Sequence, residues 1–208
     1  MQYHYLNTQT LKIGVLKMKA IGYQQNLPIE NELSLQDIEL DLPIAQGHDV
    51  LVEVKAISVN PVDFKIRQTA LSPEGEYKVL GYDATGIVKS VGESVTLFKP
   101  GDKVWYAGDI TRSGSNAQFQ LVDERIVGYM PSTLSYGEAA ALPLTSLTAW
   151  ELLFDRLNII KDDPSKRILV IGAAGGVGSI MVQLLKQLTQ LEVIATASRP
   201  ETVSWLEV

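Results

Sequence analysis

The strongest chemical signal in the sequence is a glycine-rich stretch at residues 172–178. An apolar segment at 168–171 precedes it, and apolar residues at helical spacing follow from 179 to 188. A diphosphate group requires close backbone approach, free amides and the positive end of a helix dipole, which a strand, a glycine turn and a helix supply in this order. The stretch therefore predicts a dinucleotide site formed by Ala173, Ala174, Gly175, Gly176, Val177 and Gly178.

The glycine spacing matches the dinucleotide fingerprint G-x-G-x-x-G only in part. Gly175 and Gly178 fill its second and third glycine positions, whereas Ala173 stands at the first and Gly172 lies one residue early. The alternative is a tight strand-to-helix turn that binds nothing. A second strand at 192–197 would complete a βαβ unit, and this context favours the cofactor interpretation.

The end of that second strand indicates which dinucleotide is bound. Ser198 and Arg199 offer a hydroxyl and a fixed cation, which suit a ribose 2′-phosphate and therefore favour NADPH. Glu192 would suit a 2′-hydroxyl, but six strand residues place it about 20 Å away, at the wrong end of the strand. The alternative for Arg199 is a solvated surface charge.

Composition restricts the function classes. The 208 residues contain no cysteine and two histidines, His4 and His48, which argues against thiolate zinc, iron–sulfur clusters and a catalytic metal. A net charge of −6 argues against nucleic-acid binding. Neither a signal peptide nor an apolar run of about 18 residues is present, so we expect a soluble cytoplasmic protein without membrane contact.

The pattern of elements predicts two domains. Short strands at 12–18, 49–56, 85–91, 102–106, 117–122 and 125–130, separated by turn residues, favour a closed or partly closed β-barrel over residues 1–126. From residue 127 the pattern becomes helical. Ser135 and Glu138 have capping-box spacing, Pro143 is expected to end or kink the helix that follows, and the βαβ unit comes last.

Four stretches, together with residues 172–178, resemble the medium-chain dehydrogenase/reductase superfamily in its zinc-free quinone oxidoreductase-like branch. They are SVNPVD at 58–63, LGYDATG at 80–86, KPGDKV at 99–104 and ALPLTSLTA at 141–149. The resemblance implies a GroES-like β-barrel catalytic domain followed by a Rossmann domain, with the substrate and the nicotinamide between them. Residues 127–208 hold only the connecting helices and the first part of that Rossmann domain, so we expect a truncated, weakly active portion of the enzyme.

The resemblance also implies the residues of the cleft. Zinc-dependent relatives have a cysteine at the position of Asn60 and a histidine at that of Tyr82, so both substitutions remove metal ligands. Asn60 is expected to hold the nicotinamide amide or a substrate carbonyl, and Tyr82 to donate to an oxyanion or relay a proton. The alternatives are a turn amide before Pro61 and a phenol of the barrel core.

Four further residues receive roles from the resemblance. Asp63 would orient Asn60 or Lys65, or would simply start a helix, and Lys65 would meet the cofactor phosphates or an enolate, or be solvated. Quinone oxidoreductases often have an aromatic residue where Lys65 stands. Thr145 and Thr148 would face the nicotinamide and its ribose, or would bond back to helix carbonyls.

The expected activity is NADPH-dependent reduction of a quinone, enone or other activated alkene by hydride transfer without zinc. The substrate is a small carbonyl or quinone molecule, and the complete protein is expected to be a homodimer. One alternative is a non-catalytic NADPH-binding sensor or structural protein. Another is a zinc alcohol dehydrogenase.

Overall fold

The computed structural model describes residues 16–160 and 165–206. Its strands are β1 Lys17–Tyr23, β2 Gln36–Asp41, β3 Asp49–Ser58, β4 Lys78–Val79, β5 Asp83–Val91, β6 Lys103–Ala107, β7 Phe119–Asp123, β8 Val127–Tyr129, β9 Arg167–Val170 and β10 Glu192–Ala195. Its α-helices are α1 Pro61–Thr69, α2 Tyr136–Ala140, α3 Pro143–Trp150, α4 Gly176–Leu188 and α5 Val203–Leu206. There are also 3₁₀ turns at Glu124–Ile126 and Pro200–Thr202 and a π-helical turn at Glu151–Arg156.

Two antiparallel sheets form the N-terminal part of the chain. One has the order β7-β3-β5-β6-β8 and the other the order β2-β1-β4. A β-bridge between Ala20 and Ala117 joins them, so the sheets curve into a partly closed barrel. The barrel core consists of Val50, Val52, Ala84, Val88, Phe98, Val104, Tyr106 and Val122. The predicted β-barrel is confirmed.

Two strands differ from the sequence prediction. The expected strand at 12–18 falls partly outside the described residues, and β1 begins at Lys17 and continues to Tyr23. The strand β2 was not predicted, because three of its six residues are acidic and weaken its strand propensity.

The segment at 125–130 forms a strand only in its second half. The Asp123 carboxylate accepts the Arg125 N–H at 2.9 Å and starts a 3₁₀ turn, so only β8 pairs with β6. The barrel sheet thus extends to Tyr129, beyond the predicted domain boundary at residue 126.

Pro143 begins a helix instead of ending one. The short helix α2 starts at Ser135, whose hydroxyl and Glu138 form the predicted capping box, and ends at Ala140. Pro143 is then the first residue of α3. Proline suits this position because its missing N–H would have no helical partner there.

The C-terminal part is a βαβ unit, as predicted. Strands β9 and β10 are parallel, with Arg167 opposite Glu192 and Val170 opposite Ala195, and α4 connects them. Its core joins α3 and the π-helical turn to α4 through Ala149, Leu153, Val170, Ala173, Met181 and Leu185. Over the described residues, no helix is long and apolar enough to cross a membrane.

Candidate active site

Asn60 and Asp63 together form the start of helix α1. The Asp63 Oδ2 accepts the backbone N–H of Asn60 at 2.7 Å, and its Oδ1 accepts the N–H of Gly81 at 3.1 Å. Asp63 is buried, so these bonds are shielded from water. Asp63 therefore both starts the helix and holds Asn60 beside the segment that enters β5, which combines its two expected roles.

Asp83, the first residue of β5, connects Asn60 to helix α3. Its Oδ2 accepts from the Asn60 Nδ2 at 2.8 Å, and its Oδ1 accepts the backbone N–H of Leu144 at 2.8 Å. The Asp83 residue is 0% exposed and Asn60 is 8% exposed. A single buried carboxylate thus joins Asn60, at the start of α1, to helix α3, which leads towards the glycine turn.

Ionisation of the buried Asp83 carboxyl group is energetically unfavourable, and its pKa is raised accordingly. The pKa of Asp83 is raised to about 6, chiefly by burial and to a smaller extent by the nearby Asp63 carboxylate, against the opposing effect of the hydrogen bonds from Asn60 and Leu144. Sequence reasoning quoted Asp83 within a motif but did not assign it to the site. The only signal in the sequence was an acidic residue directly before a predicted strand, a residue type that is ordinarily exposed to solvent.

Tyr82 lies beside this bridge but inside the barrel. It is 1% exposed, and its hydroxyl has no hydrogen-bond partner among the described residues. Burial, followed by the charges of Asp63 and other neighbours, raises the pKa of Tyr82 to about 12. The phenol is therefore neutral at physiological pH and has an unused proton.

Lys65 does not join these residues. It is exposed on α1, and no described acidic side chain lies within ion-pairing distance of its ammonium group. Its backbone carbonyl accepts the Thr69 hydroxyl at 2.8 Å. Lys65 is thus exposed to solvent, and its contact with a cofactor phosphate or an enolate stays a prediction.

The glycine turn between β9 and α4 has the geometry of a phosphate cradle. Helix α4 begins at Gly176, so the amides of Gly176, Val177 and Gly178 have no carbonyl one turn earlier to bond. A Cβ on Gly178 would lie 2.6 Å from both the Ala173 Cα and the Gly172 carbonyl oxygen. Only glycine at position 178 allows the helix to approach the turn this closely.

The turn explains the imperfect glycine spacing. Gly172 has a φ of +69°, a conformation that favours glycine, so it makes the tight turn one residue before the fingerprint position. Ala173 is fully buried, and its N–H donates to the Thr196 carbonyl at 3.0 Å. Two of the six turn residues predicted to bind the cofactor therefore offer no free amide: Ala173, which packs beneath the turn, and Gly175, whose N–H donates to the Gly172 carbonyl at 3.0 Å.

A cleft of about 510 Å³ opens in front of the turn. Its lining residues are Ala141, Leu142, Thr145, Ala174, Gly176, Ser179, Ile180, Glu201, Thr202 and Trp205. Thr145 faces the turn, since its methyl group lies 3.3 Å from the position of a Cβ on Gly176. Thr148 is exposed and does not line this cleft, and its hydroxyl bonds back to the Leu144 carbonyl at 2.7 Å.

Ser198 and Arg199 lie just after β10, next to the cleft residues Glu201 and Thr202, and both are exposed. The Arg199 side chain is 69% exposed, and its Nε lies 3.8 Å from the Glu201 carboxylate, a loose contact. Glu192 stands at the opposite end of β10, where it pairs with Arg167 at 2.6 Å. This placement agrees with the expectation that Glu192 lies too far from Ser198 to bind the ribose.

Within the described ranges, no three His, Cys, Asp or Glu side chains converge as metal ligands. His48 is paired with Glu124, the Nδ1 to Oε1 distance being 2.9 Å. His4 lies outside the described residues. The side chains around Asn60 are an amide, a phenol and two carboxylates already bonded to amide N–H groups.

The alcohol dehydrogenase GroES-like domain matches residues 46–149, half of the chain, and covers Asn60, Tyr82 and the start of α3. The chain belongs to the medium-chain dehydrogenase/reductase superfamily. Its neighbours place it in the quinone oxidoreductase-like branch. The predicted fold class, a GroES-like barrel with an α/β dinucleotide-type unit, is confirmed.

Two curated relatives of the chain carry different names. A zinc-type alcohol dehydrogenase-like protein of Staphylococcus aureus strain COL is 46% identical over 193 residues, covering 91% of this chain and 57% of the relative. The 2-methylene-furan-3-one reductase of Solanum lycopersicum is 37% identical over 203 residues, covering 88% of this chain and 47% of the relative. The chain thus spans about half the length of these relatives.

Two solved structures share the fold. A Rhizobium etli CFN 42 protein, classed provisionally as a zinc-dependent alcohol dehydrogenase, is 59% identical with a TM-score of 0.87, covering 93% of this chain and 57% of its own. The Escherichia coli quinone oxidoreductase, solved in complex with NADPH, is 29% identical with a TM-score of 0.73, covering 91% of this chain and 55% of its own.

Proposed function

We propose that the full-length protein is an NADPH-dependent oxidoreductase that reduces a quinone, enone or other activated alkene without zinc. The observation that carries the proposal is the buried Asn60–Asp83–Leu144 bridge, which connects polar side chains that include no thiolate or imidazole to the helix beside the glycine turn. Two relatives support it, because one is named for a quinone and the other for a 2-methylene-furan-3-one, an alkene conjugated to a ketone.

The residues of the turn fit a dinucleotide. The free amides of Gly176, Val177 and Gly178 lie at the positive end of α4, where a diphosphate would be stabilised. Gly175 and Gly176 carry no side chain that could cover these amides, and Gly176 and Thr145 line the same cleft. When bound there, the nicotinamide supplies a hydride, and a proton completes the two-electron reduction of the substrate.

Asn60 is proposed to hold the oxygen of the electron-poor substrate. Its NH₂ group has two protons, of which one is donated to Asp83. The second is available for a carbonyl oxygen, whose negative charge grows as the neighbouring carbon accepts hydride. A fixed donor at that oxygen stabilises the transition state more than the ground state.

Tyr82 is proposed to assist as a neutral donor. With a pKa near 12 its phenol keeps its proton at physiological pH, and its hydroxyl is unpartnered among the described residues. A substrate oxygen reaching this hydroxyl would satisfy a buried group that otherwise costs free energy. Asp63 acts indirectly, since it holds the backbones of Asn60 and Gly81.

The proposed function is tested by mixing the full-length protein with NADPH and a panel of enones and quinones. NADPH oxidation is measured as the loss of its absorbance. We expect turnover that survives prolonged treatment with a strong zinc chelator, because Asn60 and Tyr82 offer no thiolate or imidazole. Loss of turnover after chelation, restored by added zinc, would establish the zinc alcohol dehydrogenase alternative. NADPH binding without turnover on any substrate would establish the sensor alternative.

The preference for NADPH is proposed to depend on Ser198 and Arg199. Arg199→Ala removes a cation that is held only loosely by Glu201, so we expect the Kd for NADPH to rise about 10-fold and that for NADH to stay unchanged. Isothermal titration measures both. Arg167→Ala is the matched control, because Arg167 is similarly exposed but lies at the other end of the strand pair. Equal changes for both cofactors would refute the assignment.

The full-length protein is further proposed to be a homodimer that acts on a small molecule. Light scattering of the purified protein reports its mass directly.

A further inference from the structure

The carboxylate of Asp83 connects the Asn60 side chain to helix α3, and the proposed reaction requires these two parts to be correctly placed relative to each other. One oxygen accepts from the Asn60 side chain, and the other accepts the N–H of Leu144, the second residue of α3. The next residue of that helix, Thr145, borders the cleft in front of the glycine turn. A displacement of Asp83 would therefore disturb both the Asn60 side chain and helix α3.

The chemistry of the bridge fixes the orientation of Asn60. A carboxylate can only accept hydrogen bonds, so the Asn60 carboxamide must turn its Nδ2 towards Asp83. The alternative orientation would set the Asn60 oxygen against the carboxylate and create repulsion between two acceptors. Since all of these atoms are buried, neither group can exchange its partner for water without cost.

We propose that Asp83 is a positioning residue of the reaction, which holds the Asn60 carboxamide in the orientation that presents its second N–H to the substrate oxygen. This inference rests on the proposed function, since it names the residue that prepares Asn60 for that function. Asp83 acts through Asn60 and does not itself contact the substrate.

The surroundings of Asp83 make the bridge sensitive to pH. Among the described residues, Asp63 on α1 is the charged group that acts on it, its chain neighbour Tyr82 is a neutral phenol, and its strand partners Ser58 and Ala107 do not titrate. Each carboxylate oxygen accepts one hydrogen bond, and protonation removes the negative charge that strengthens both of these bonds. Because burial raises the pKa of Asp83 to about 6, the bridge is charge-assisted above that pH and is weakened below it.

The substitution Asp83→Asn tests the positioning role in the full-length protein. The new amide oxygen can still accept from Leu144, but the new NH₂ group faces that of Asn60, so Asn60 must rotate and present its oxygen. We expect kcat to fall about 10- to 100-fold, because a misplaced donor loses its transition-state contact. The Kd for NADPH should not change, and the step in the pH–rate profile near 6 should disappear. An unchanged kcat refutes the inference.

A swapped pair separates positioning from structure. In Asn60→Asp with Asp83→Asn, the amide and the carboxylate exchange places, so the hydrogen bond returns but no N–H faces the substrate. We expect thermal stability to recover relative to Asp83→Asn while kcat stays low. Recovery of kcat together with stability would show that Asp83 serves only the fold. Asp102→Asn, at a turn where Asp102 accepts the Lys99 N–H, is the matched control and should keep wild-type kcat.

A readout without cofactor or turnover comes from NMR. The side-chain NH₂ signals of Asn60, assigned by their loss in Asn60→Ala, should shift with a midpoint near pH 6 in the wild type and not in Asp83→Asn. Signals that are insensitive to pH would refute the inference. A wild-type protein without turnover would refute the proposed function and with it this role, whereas equal turnover in the wild type and Asp83→Asn would refute this role alone.

Discussion

Asn60→Ala is expected to lower kcat of the full-length protein by about 100-fold, the usual effect of removing one fixed donor to a developing oxyanion. The substitution removes the N–H proposed for the substrate oxygen. It also leaves one Asp83 oxygen without its partner in a buried site, which costs about 1–3 kcal/mol of stability. Steady-state NADPH oxidation and denaturant unfolding measure the two effects separately.

Asn26→Ala is the matched control for this experiment. The Asn26 amide donates to the carbonyls of Arg67 and Ala70, at the opposite end of α1 from Asn60. Its removal should destabilise the same helix by a similar amount but leave kcat unchanged. If both variants lost kcat equally, Asn60 would act only by supporting the helix, and the proposed role would be wrong.

Gly178→Ala is expected to abolish measurable NADPH binding, a loss of affinity above about 100-fold, because the cradle cannot form around a displaced helix. The added methyl group would lie 2.6 Å from the Ala173 Cα and the Gly172 oxygen, both of which belong to backbone that cannot rotate away. Relief requires α4 to move from the turn, at a cost of about 1–3 kcal/mol. Isothermal titration and thermal unfolding test both expectations.

Gly137→Ala shows what the same methyl group does where there is space. Gly137 lies in helix α2, and no atom comes within 4 Å of its added Cβ. This variant should bind NADPH normally and gain up to about 1 kcal/mol, because alanine favours a helix. NADPH affinity that survives in Gly178→Ala would contradict the role given to the glycine turn.

The sequence predicted those features whose causes lie close together in the chain. The glycine turn depends on seven successive residues, and the capping box on Ser135 and Glu138, three positions apart. Both are confirmed as local structures, and the dinucleotide function of the turn stays a proposal. The sequence did not indicate which glycine makes the tight turn, and the φ of +69° at Gly172 identifies it.

The bridge at Asp83 could not be predicted because its partners are distant in sequence. Asn60 lies 23 residues before it and Leu144 lies 61 residues after it. No local pattern indicates that these three groups meet, and an acidic residue in a strand is ordinarily taken as solvent-exposed. For Lys65 the sequence left a cofactor contact and a solvated side chain both open, and its exposed position on α1 is compatible with either.

The most direct test is a crystal structure of the full-length protein with NADPH bound. We expect the diphosphate on the amides of Gly176, Val177 and Gly178, and the nicotinamide beside Thr145 and within reach of Asn60, with no metal ion between them. A diphosphate bound elsewhere, or a transition metal coordinated beside Asn60, would contradict the account.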